Sequence, residues 1–163
     1  MGDIVDQEQL ELIEDTQKGK FLTFSMGNEF YGIEIKYVTE IIGMQPITEI
    51  PEMPEYIKGI INLRGKIIPV MDVRLRFRKA FRDYNDRTCI IVIDIEDISI
   101  GLIVDSVSEV IAIADDEIVA PPNVAKESNK YIKGIGKVGN DVKLLLDSDK
   151  LLNETDVEVL GSI

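Results

Sequence analysis

Apolar and polar positions along this chain fall into short runs rather than long amphipathic periods. Phe21-Leu22-Thr23-Phe24 opens a strand, Gly27-Asn28 is a turn signal, and residues 30–35 form the returning arm of a hairpin. Val38, Ile41 and Ile42 stand at helical spacing, which predicts a single helical turn there. Pro46, Pro51 and Pro54 interrupt regular structure, and Gly65 ends a tight turn before an aliphatic strand at 66–71. Asp72 is placed to cap a short helix over 73–81. After a polar connector at 83–86, residues 89–95 are almost wholly apolar. They predict a buried strand, with residues 100–104 pairing back on it. Gly139-Asn140-Asp141 turns the chain into a strand at 142–146, and Asp147 or Ser148 caps a helical turn over 150–152. Thr155-Asp156-Val157-Glu158 has the form of a capping box for a short C-terminal helix, and residues 10–13 could carry another short helix.

These runs come twice. Tyr-Ile-Lys-Gly-Ile occurs at residues 56–60 and again at 131–135. The run Tyr31-Gly32-Ile33-Glu34-Ile35 leading to Val38-Thr39-Glu40-Ile41-Ile42 returns as Ile100-Gly101-Leu102-Ile103-Val104 leading to Val107-Ser108-Glu109-Val110-Ile111. Asp72 follows the first pentapeptide as Asp147 follows the second. Each copy holds about five short strands and one helical turn. Units of that size with Gly- and Pro-rich turns close into small barrels. The expectation is an all-β protein, mainly strands with short helical turns. Its first barrel covers about 19–82 and its second about 88–152, sharing one core because units of about 65 residues are marginal alone. An acidic mobile tail at 1–18 and a short helix or tail at 153–163 flank them.

Composition narrows the chemistry. Among 163 residues there is no histidine and one cysteine, Cys89. Without histidine the commonest general base, the commonest zinc ligand and every Ser-His or Cys-His pair are gone, so no catalytic residue and no cofactor is expected. Cys89 lies in an apolar strand with nothing to activate its thiol, and it fits a reducing compartment. No apolar run is long enough to span a bilayer, and the acidic start is unlike a signal peptide. A cytoplasmic protein without membrane insertion is the default.

Net charge is −12, yet nine of the 18 basic residues lie between Lys58 and Arg87. The acidic whole argues against nucleic acid. The basic strip suits either an acidic protein partner or a solvated helix face. Gly134-Ile135-Gly136-Lys137-Val138-Gly139 spells a dinucleotide fingerprint. The next element is a strand and not the helix N-terminus that a pyrophosphate needs, so the stretch is a Gly-rich turn. Asp94-Ile95-Glu96-Asp97 and Asp115-Asp116-Glu117 lack calcium-loop spacing, and no metal site is expected. The segment unlike scaffolding is Asn62-Leu63-Arg64-Gly65. Its Arg either ties down its own loop, by pairing with Glu40, or reads a partner's carboxylate or carbonyls.

Several stretches resemble the CheW family of chemotaxis coupling proteins. They are Phe30-Tyr31-Gly32-Ile33-Glu34-Ile35 with Val38-Thr39-Glu40-Ile41, the run from Pro54 to Arg74, Gly101-Leu102-Ile103-Val104-Asp105-Ser106-Val107, and Tyr131-Ile132-Lys133-Gly134-Ile135-Gly136. The resemblance covers about 21–152. It implies two SH3-like five-stranded barrels packed side by side and a non-catalytic adaptor. Such an adaptor joins the cytoplasmic signalling tips of chemoreceptors, at the inner face of the membrane, to the regulatory domain of the histidine kinase CheA. Carried onto this chain, it places Val38, Glu40, Ile41, Asn62, Leu63 and Arg64 at a receptor groove between the barrels, with Val104 on the other wall. It places Ile61, Leu63 and Gly65 at a kinase contact on the first barrel. A further contact falls near Val124, where this chain lacks an aromatic residue that relatives carry. The same module could instead be part of a kinase regulatory domain or be fused to a receiver domain. From another class, a small-barrel nucleic-acid binder would need aromatics interleaved with basic residues.

Overall fold

A computed structural model describes residues 18–95, 97–121 and 130–152, together with Asp156 and Leu160. Among these residues eleven strands form. The first copy gives β1 (Lys20–Met26), β2 (Glu29–Glu34), β3 (Val38–Gly43), β4 (Ile57–Leu63) and β5 (Lys66–Asp72). The second gives β6 (Cys89–Ile95), β7 (Ile98–Val104), β8 (Ser106–Ala112), β9 (Ile118–Val119), β10 (Ile132–Val138) and β11 (Asp141–Leu146). The strands expected at 21–24, 66–71, 89–95 and 142–146 all form. The helical turn expected at 38–42 is instead β3, whose alternating exposure follows the period of two of an edge-on strand. The turn itself lies just before it, at Ile35–Tyr37.

Helix α1 (Val73–Arg76) starts as expected, with Asp72 accepting from the Leu75 N–H at 3.3 Å. It stops well short of residue 81. Arg78 adopts a left-handed conformation (φ 61). Its N–H bonds to the Leu75 carbonyl and that of Lys79 to the Arg74 carbonyl, a Schellman closure that ends the helix. At the equivalent place the second copy has a 3₁₀ turn, Ser148–Lys150, capped by Asp147. The helix-start pattern at 155–158 and the helix reading at 10–13 fall mostly outside the described residues.

The strands assemble into two sheets, ordered β3-β6-β7-β5-β4 and β8-β1-β2-β11-β10-β9. Both close on themselves. Past β3 the chain returns so that Thr48 and Ile60 exchange two backbone bonds of 2.9 Å, which seals the first sheet across β4. Past β8 it returns as β9, which pairs with β10 and seals the second. We call these the β4 barrel and the β10 barrel. They do not follow the contiguous division expected at 82 and 88. The β6–β7 hairpin of the second copy completes the β4 barrel, and the β1–β2 hairpin of the first completes the β10 barrel. The exchange is symmetric in register. Val70 lies beside Gly101 in parallel β5–β7, and its repeat-equivalent Leu145 lies beside Gly32 in parallel β11–β2.

Exchange makes each hairpin apolar on both faces. In β6, Ile90 and Val92 fill the β4 barrel with Ile61, Ile68, Val70 and Ile103. Ile91, Ile93 and Ile95 point the other way and join Leu22, Phe24, Met26, Ile33, Ile100 and Leu102 in a larger cluster between the barrels. The barrel interiors are tight. A methyl on Gly101 would stand 2.7 Å from Ile90 Cγ2, and one on Gly32 would stand 3.0 Å from Leu145 Cδ2. The repeated glycine is therefore a matter of space inside a small closed barrel.

The pentapeptide has a similar explanation. Tyr56 and Tyr131 each give a carbonyl to the N–H of the following Asp72 or Asp147, at 2.7 and 2.8 Å. Both rings also close on Arg76, whose guanidinium carbon lies 4.3 Å from the Tyr56 centroid and 5.1 Å from that of Tyr131. Arg76 is buried; its Nε donates to the Leu151 carbonyl at 2.7 Å and it pairs with buried Asp156 at 3.5 Å. Tyr56 Oη donates to the same carboxylate at 2.7 Å, and burial together with that bond pushes its pKa up to about 12. The pentapeptide glycines leave room for the closing segments. A methyl on Gly59, at φ 146, would fall 2.1 Å from the Thr48 carbonyl oxygen. Gly59→Ala should therefore open the closure and cost at least about 2 kcal/mol, read as a lower urea midpoint. An unchanged midpoint would mean that the Thr48 bridge does not hold the barrel.

Candidate partner-docking groove

Register tells which side of each flanking strand faces the joint between the barrels. In β3, Ile41 stands beside Ile91; in β8, Val110 stands beside Leu22. Ile91 and Leu22 both belong to the interbarrel cluster, so Ile41 and Val110 rise next to it from opposite barrels. They are 43% and 50% exposed, although each is a large aliphatic. Val38 and Val107, three residues earlier in each strand, are half-buried against the same cluster. The four are apolar residues on the two strands that flank the interbarrel cluster. Of these the sequence reading singled out Val38 and Ile41. It missed Val107 and Val110, although the internal alignment sets them opposite Val38 and Ile41.

The Asn62–Gly65 turn stands beside the β3 wall. Arg64 and Gly65 both have positive φ, 51 and 87, so β4 and β5 are joined by a two-residue hairpin of the primed type. Asn62 Oδ1 accepts from the Gly65 N–H at 2.8 Å. Arg64 Nη2 donates to Glu40 Oε2, so the pairing expected from sequence forms. Glu40 Oε1 is buried without a partner. The repeat-equivalent of Arg64 is Gly139, at φ 62. A residue other than glycine in that region is strained. The first copy thus holds an arginine where the second takes the relaxed choice.

The other singled-out residues divide. Asn62, Arg64 and Gly65 are exposed, and Leu63 is half-buried against the β4 barrel interior. Ile61 and Val104 are each 1% exposed. Neither can meet a partner with its side chain: Ile61 fills the barrel under the turn, and Val104 packs between the barrels. This corrects the placement of Val104 on a groove wall and of Ile61 at a contact surface. The exposed aliphatic beside the turn is Ile67, paired with Asn62 across the hairpin and 47% exposed. Val124 lies outside the described residues.

The basic strip is largely consumed within the molecule. Arg74 grips Asp105 with two bonds, Nε to Oδ1 at 2.8 Å and Nη2 to Oδ2 at 2.7 Å. Arg82 adds a third at 3.2 Å, and the Gly27 N–H a fourth at 2.7 Å. Arg76 is committed to Asp156, Lys79 to Glu29, and Lys58 lies over the Phe81 ring at 5.0 Å. The strip serves as cement between elements.

The remaining candidates are accounted for locally. The Gly134–Gly139 stretch runs along β10 into its turn, and no helix N-terminus follows it. Asp94 accepts from the Ser99 hydroxyl, and Glu117 accepts from the Ala114 N–H inside the Asp115–Glu117 turn. The Cys89 thiol donates to the Arg87 carbonyl. Among the described residues no helix is long and apolar enough to cross a membrane.

Asp105 offers a pH test of this cement. Burial alone would raise its pKa, but the Arg74 bonds, the Gly27 N–H and Arg82 hold it below the ordinary carboxylate value. A carboxylate depressed in the folded state contributes stability above its unfolded pKa, about 3.9, and loses it as pH falls through the folded value. The stability gap between wild type and Asp105→Asn should thus be full at pH 6 and shrink steadily below about pH 4. Urea midpoints measured from pH 6 to pH 2.5 would show it; a gap independent of pH would contradict the pairing.

The geometry has counterparts elsewhere. The CheW-like domain model matches residues 20–156. The chemotaxis protein CheW of Klebsiella aerogenes is 34% identical over 154 residues, covering 94% of this chain and 93% of that protein. The chemotaxis protein CheW of Treponema pallidum is 30% identical, covering 99% and 98%. In three dimensions the chain is similar to the scaffolding protein TtCheW of Thermoanaerobacter tengcongensis, with a TM-score of 0.79, 39% identity, and coverage of 85% and 96%.

Proposed function

The chain belongs to the CheW-like domain family, and on that premise we propose that it is a non-catalytic adaptor of chemotaxis signalling that couples chemoreceptor tips to the regulatory domain of the kinase CheA. The observation that carries this reading is the apolar surface beside the interbarrel cluster, where Val38 and Val107 are half-buried and Ile41 and Val110 are exposed. Helix-in-groove recognition needs apolar anchors on a preformed surface, and the two closed barrels supply the rigidity. The occupant that fits such a surface is an apolar helix of a chemoreceptor tip. Arg64 holds the turn beside the groove through Glu40, at the expense of a left-handed backbone. The kinase contact falls on the outer face of the β4–β5 hairpin, where Asn62, Gly65 and Ile67 are exposed and Ile61 and Leu63 support them from within. No observation favours a nucleic-acid reading, since most of the basic residues that would serve it are engaged within the molecule.

The test is binding of a receptor signalling-tip fragment and, separately, of the kinase regulatory domain. An exposed ion pair is worth at most about 1 kcal/mol, and Ala and Lys carry the same left-handed strain at residue 64 as Arg does. Arg64→Ala and Arg64→Lys should therefore melt within a few degrees of wild type. Both should weaken tip binding and kinase activation, Lys failing because it lacks the planar fork. Wild-type coupling in both variants would return Arg64 to a merely solvated role.

The kinase surface makes an independent prediction. Weak signalling contacts bury under about 1,200 Å² in total, and a few central residues dominate them. Ile67→Asp should lower kinase affinity at least about tenfold, as for a central interface residue, and leave tip binding intact. Unchanged kinase affinity would remove the β4–β5 face from the proposal.

A further inference from the structure

The two copies differ in what precedes their first strand. Before β6 runs a basic connector with Lys79, Arg82 and Arg87. Before β1 runs an acidic segment, with six carboxylates and no Lys or Arg over residues 1–17. The connector has a seat on the β4 barrel. Arg82, Tyr84 and Thr88 line one small cavity with Asp72, Ile103 and Asp105. Arg82 donates to Asp105 at 3.2 Å, and Tyr84 Oη donates to Asp72 at 2.8 Å. In the alignment of Gly32 with Gly101, Ile103 and Asp105 answer to Glu34 and Lys36, and Asp72 answers to Asp147. On the β10 barrel that seat is open among the described residues. Asp72 is buried, whereas Asp147 is half-buried and Lys36 is exposed. The seat's charge is also inverted, with Lys36 in the place of Asp105. Lys36 shares the Glu34 carboxylate with Lys133, which also feels Asp147 and Asp149. An ammonium has three donors, so Lys36, whose side chain is 58% exposed, can take a further carboxylate.

We infer that residues 11–17 fold back on the β10 barrel beside Ile35–Tyr37 and Asp147, as an acidic cover at the Val38 border of the partner surface. The chain's own path supports this. Lys20 pairs with Ala112 as Cys89 pairs with the repeat-equivalent Gly43, so both preceding segments enter their barrels at the same point. Residues 11–17 then answer to residues 80–86 of the connector. Glu11, Glu14 and Asp15 flank position 13, the counterpart of Arg82, which puts carboxylates where Lys36 has replaced Asp105. Leu12 and Ile13 supply apolar surface, as Tyr84 does against the β4 barrel. Val38 follows Lys36 as Val107 follows Asp105, so the connector borders one half of the partner surface and the acidic segment borders the other. The covering role rests on that surface being the receptor site; the seat itself does not.

The experiment uses the full chain with Cys89→Ser and a nitroxide on Gln9→Cys, and reads paramagnetic relaxation of backbone amides. Ile35, Tyr37 and Ser148 should be relaxed several-fold more strongly than Ala112, which is the nearer to the entry point of the segment. Lys36→Glu should remove that contrast. Combining it with Glu11→Lys, Glu14→Lys and Asp15→Lys should bring the contrast back. Relaxation centred on Ala112 in the unaltered tail, or a contrast indifferent to Lys36→Glu, would overturn the seat. Binding of a chemoreceptor signalling-tip fragment tests the cover. Glu11→Gln, Glu14→Gln and Asp15→Asn together should raise tip affinity about threefold, because a cover held by one exposed ion pair is seated only a few times as often as it is lifted. Unchanged affinity in that variant would overturn the covering role. Failure of every chain to bind the fragment would overturn the receptor reading and the cover with it, while the relaxation contrast would still decide the seat.

Discussion

The fold turns on one buried guanidinium. Arg76 sits where the two copies meet, between the tyrosines that open the two pentapeptides. Its Nε is held by the carbonyl of Leu151, the residue that stands at Arg76's own position in the second copy. A charge buried this deeply is tolerable only when every donor is met, and removing one partner of such a pair typically costs about 3–5 kcal/mol. Here the partners come from three places: the starts of β4 and β10, the turn after β11, and Asp156 beyond it. Phe77, the next residue, stacks on Tyr131 at 5.1 Å and leans on Tyr31 at 5.6 Å, which stacks on Phe24. A continuous line of rings thus runs from the β1–β2 hairpin to the barrel joint, and the guanidinium closes its end. The symmetry of the duplication is broken at this point because two arginines could not share that space.

Hairpin exchange obeys the same economy of surface. A copy folded on its own would expose one apolar face of its first hairpin. Exchanged, each hairpin lines a barrel with one face and the joint with the other, as Ile90 and Ile91 do in β6. The barrels are then fixed relative to each other by strands and not by a flexible linker. The surface that carries Ile41 and Val110 is therefore preformed.

Much of this was legible. The repeated Gly, the capping Asp72 and Asp147, the turn at Gly27 and the Arg64–Glu40 pair all arise from local chemistry that residue identity exposes. The exchange was not legible, because the two copies present the same apolar pattern and any hairpin satisfies either barrel. Residues 38–42 misled because a register shift between Val38 and Glu40 brings Val38 and Ile41, three residues apart, to the same face of a strand, which imitates a helical period. Burial of Ile61 and Val104 was hidden for a related reason. Family resemblance marks a neighbourhood, but only strand register decides which side of the backbone a side chain leaves. The basic strip read as a surface because its carboxylate partners, Glu29, Asp105 and Asp156, lie far away in sequence.

The exchange also sets an order of events when the chain is made. The first copy leaves the ribosome with no barrel it can finish. The β4 barrel waits for β6 and β7, and the β1–β2 hairpin, first to emerge, waits for β11, nearly the last strand synthesised. Until then its apolar faces and strand edges are open, the condition under which nascent chains meet chaperones or one another. Non-local pairing of this kind is slow, because loop closure comes before any contact rewards it. A protein assembled this way is born as an incomplete pair of halves: β7 supplies the last strand of the β4 barrel, and β11 that of the β10 barrel.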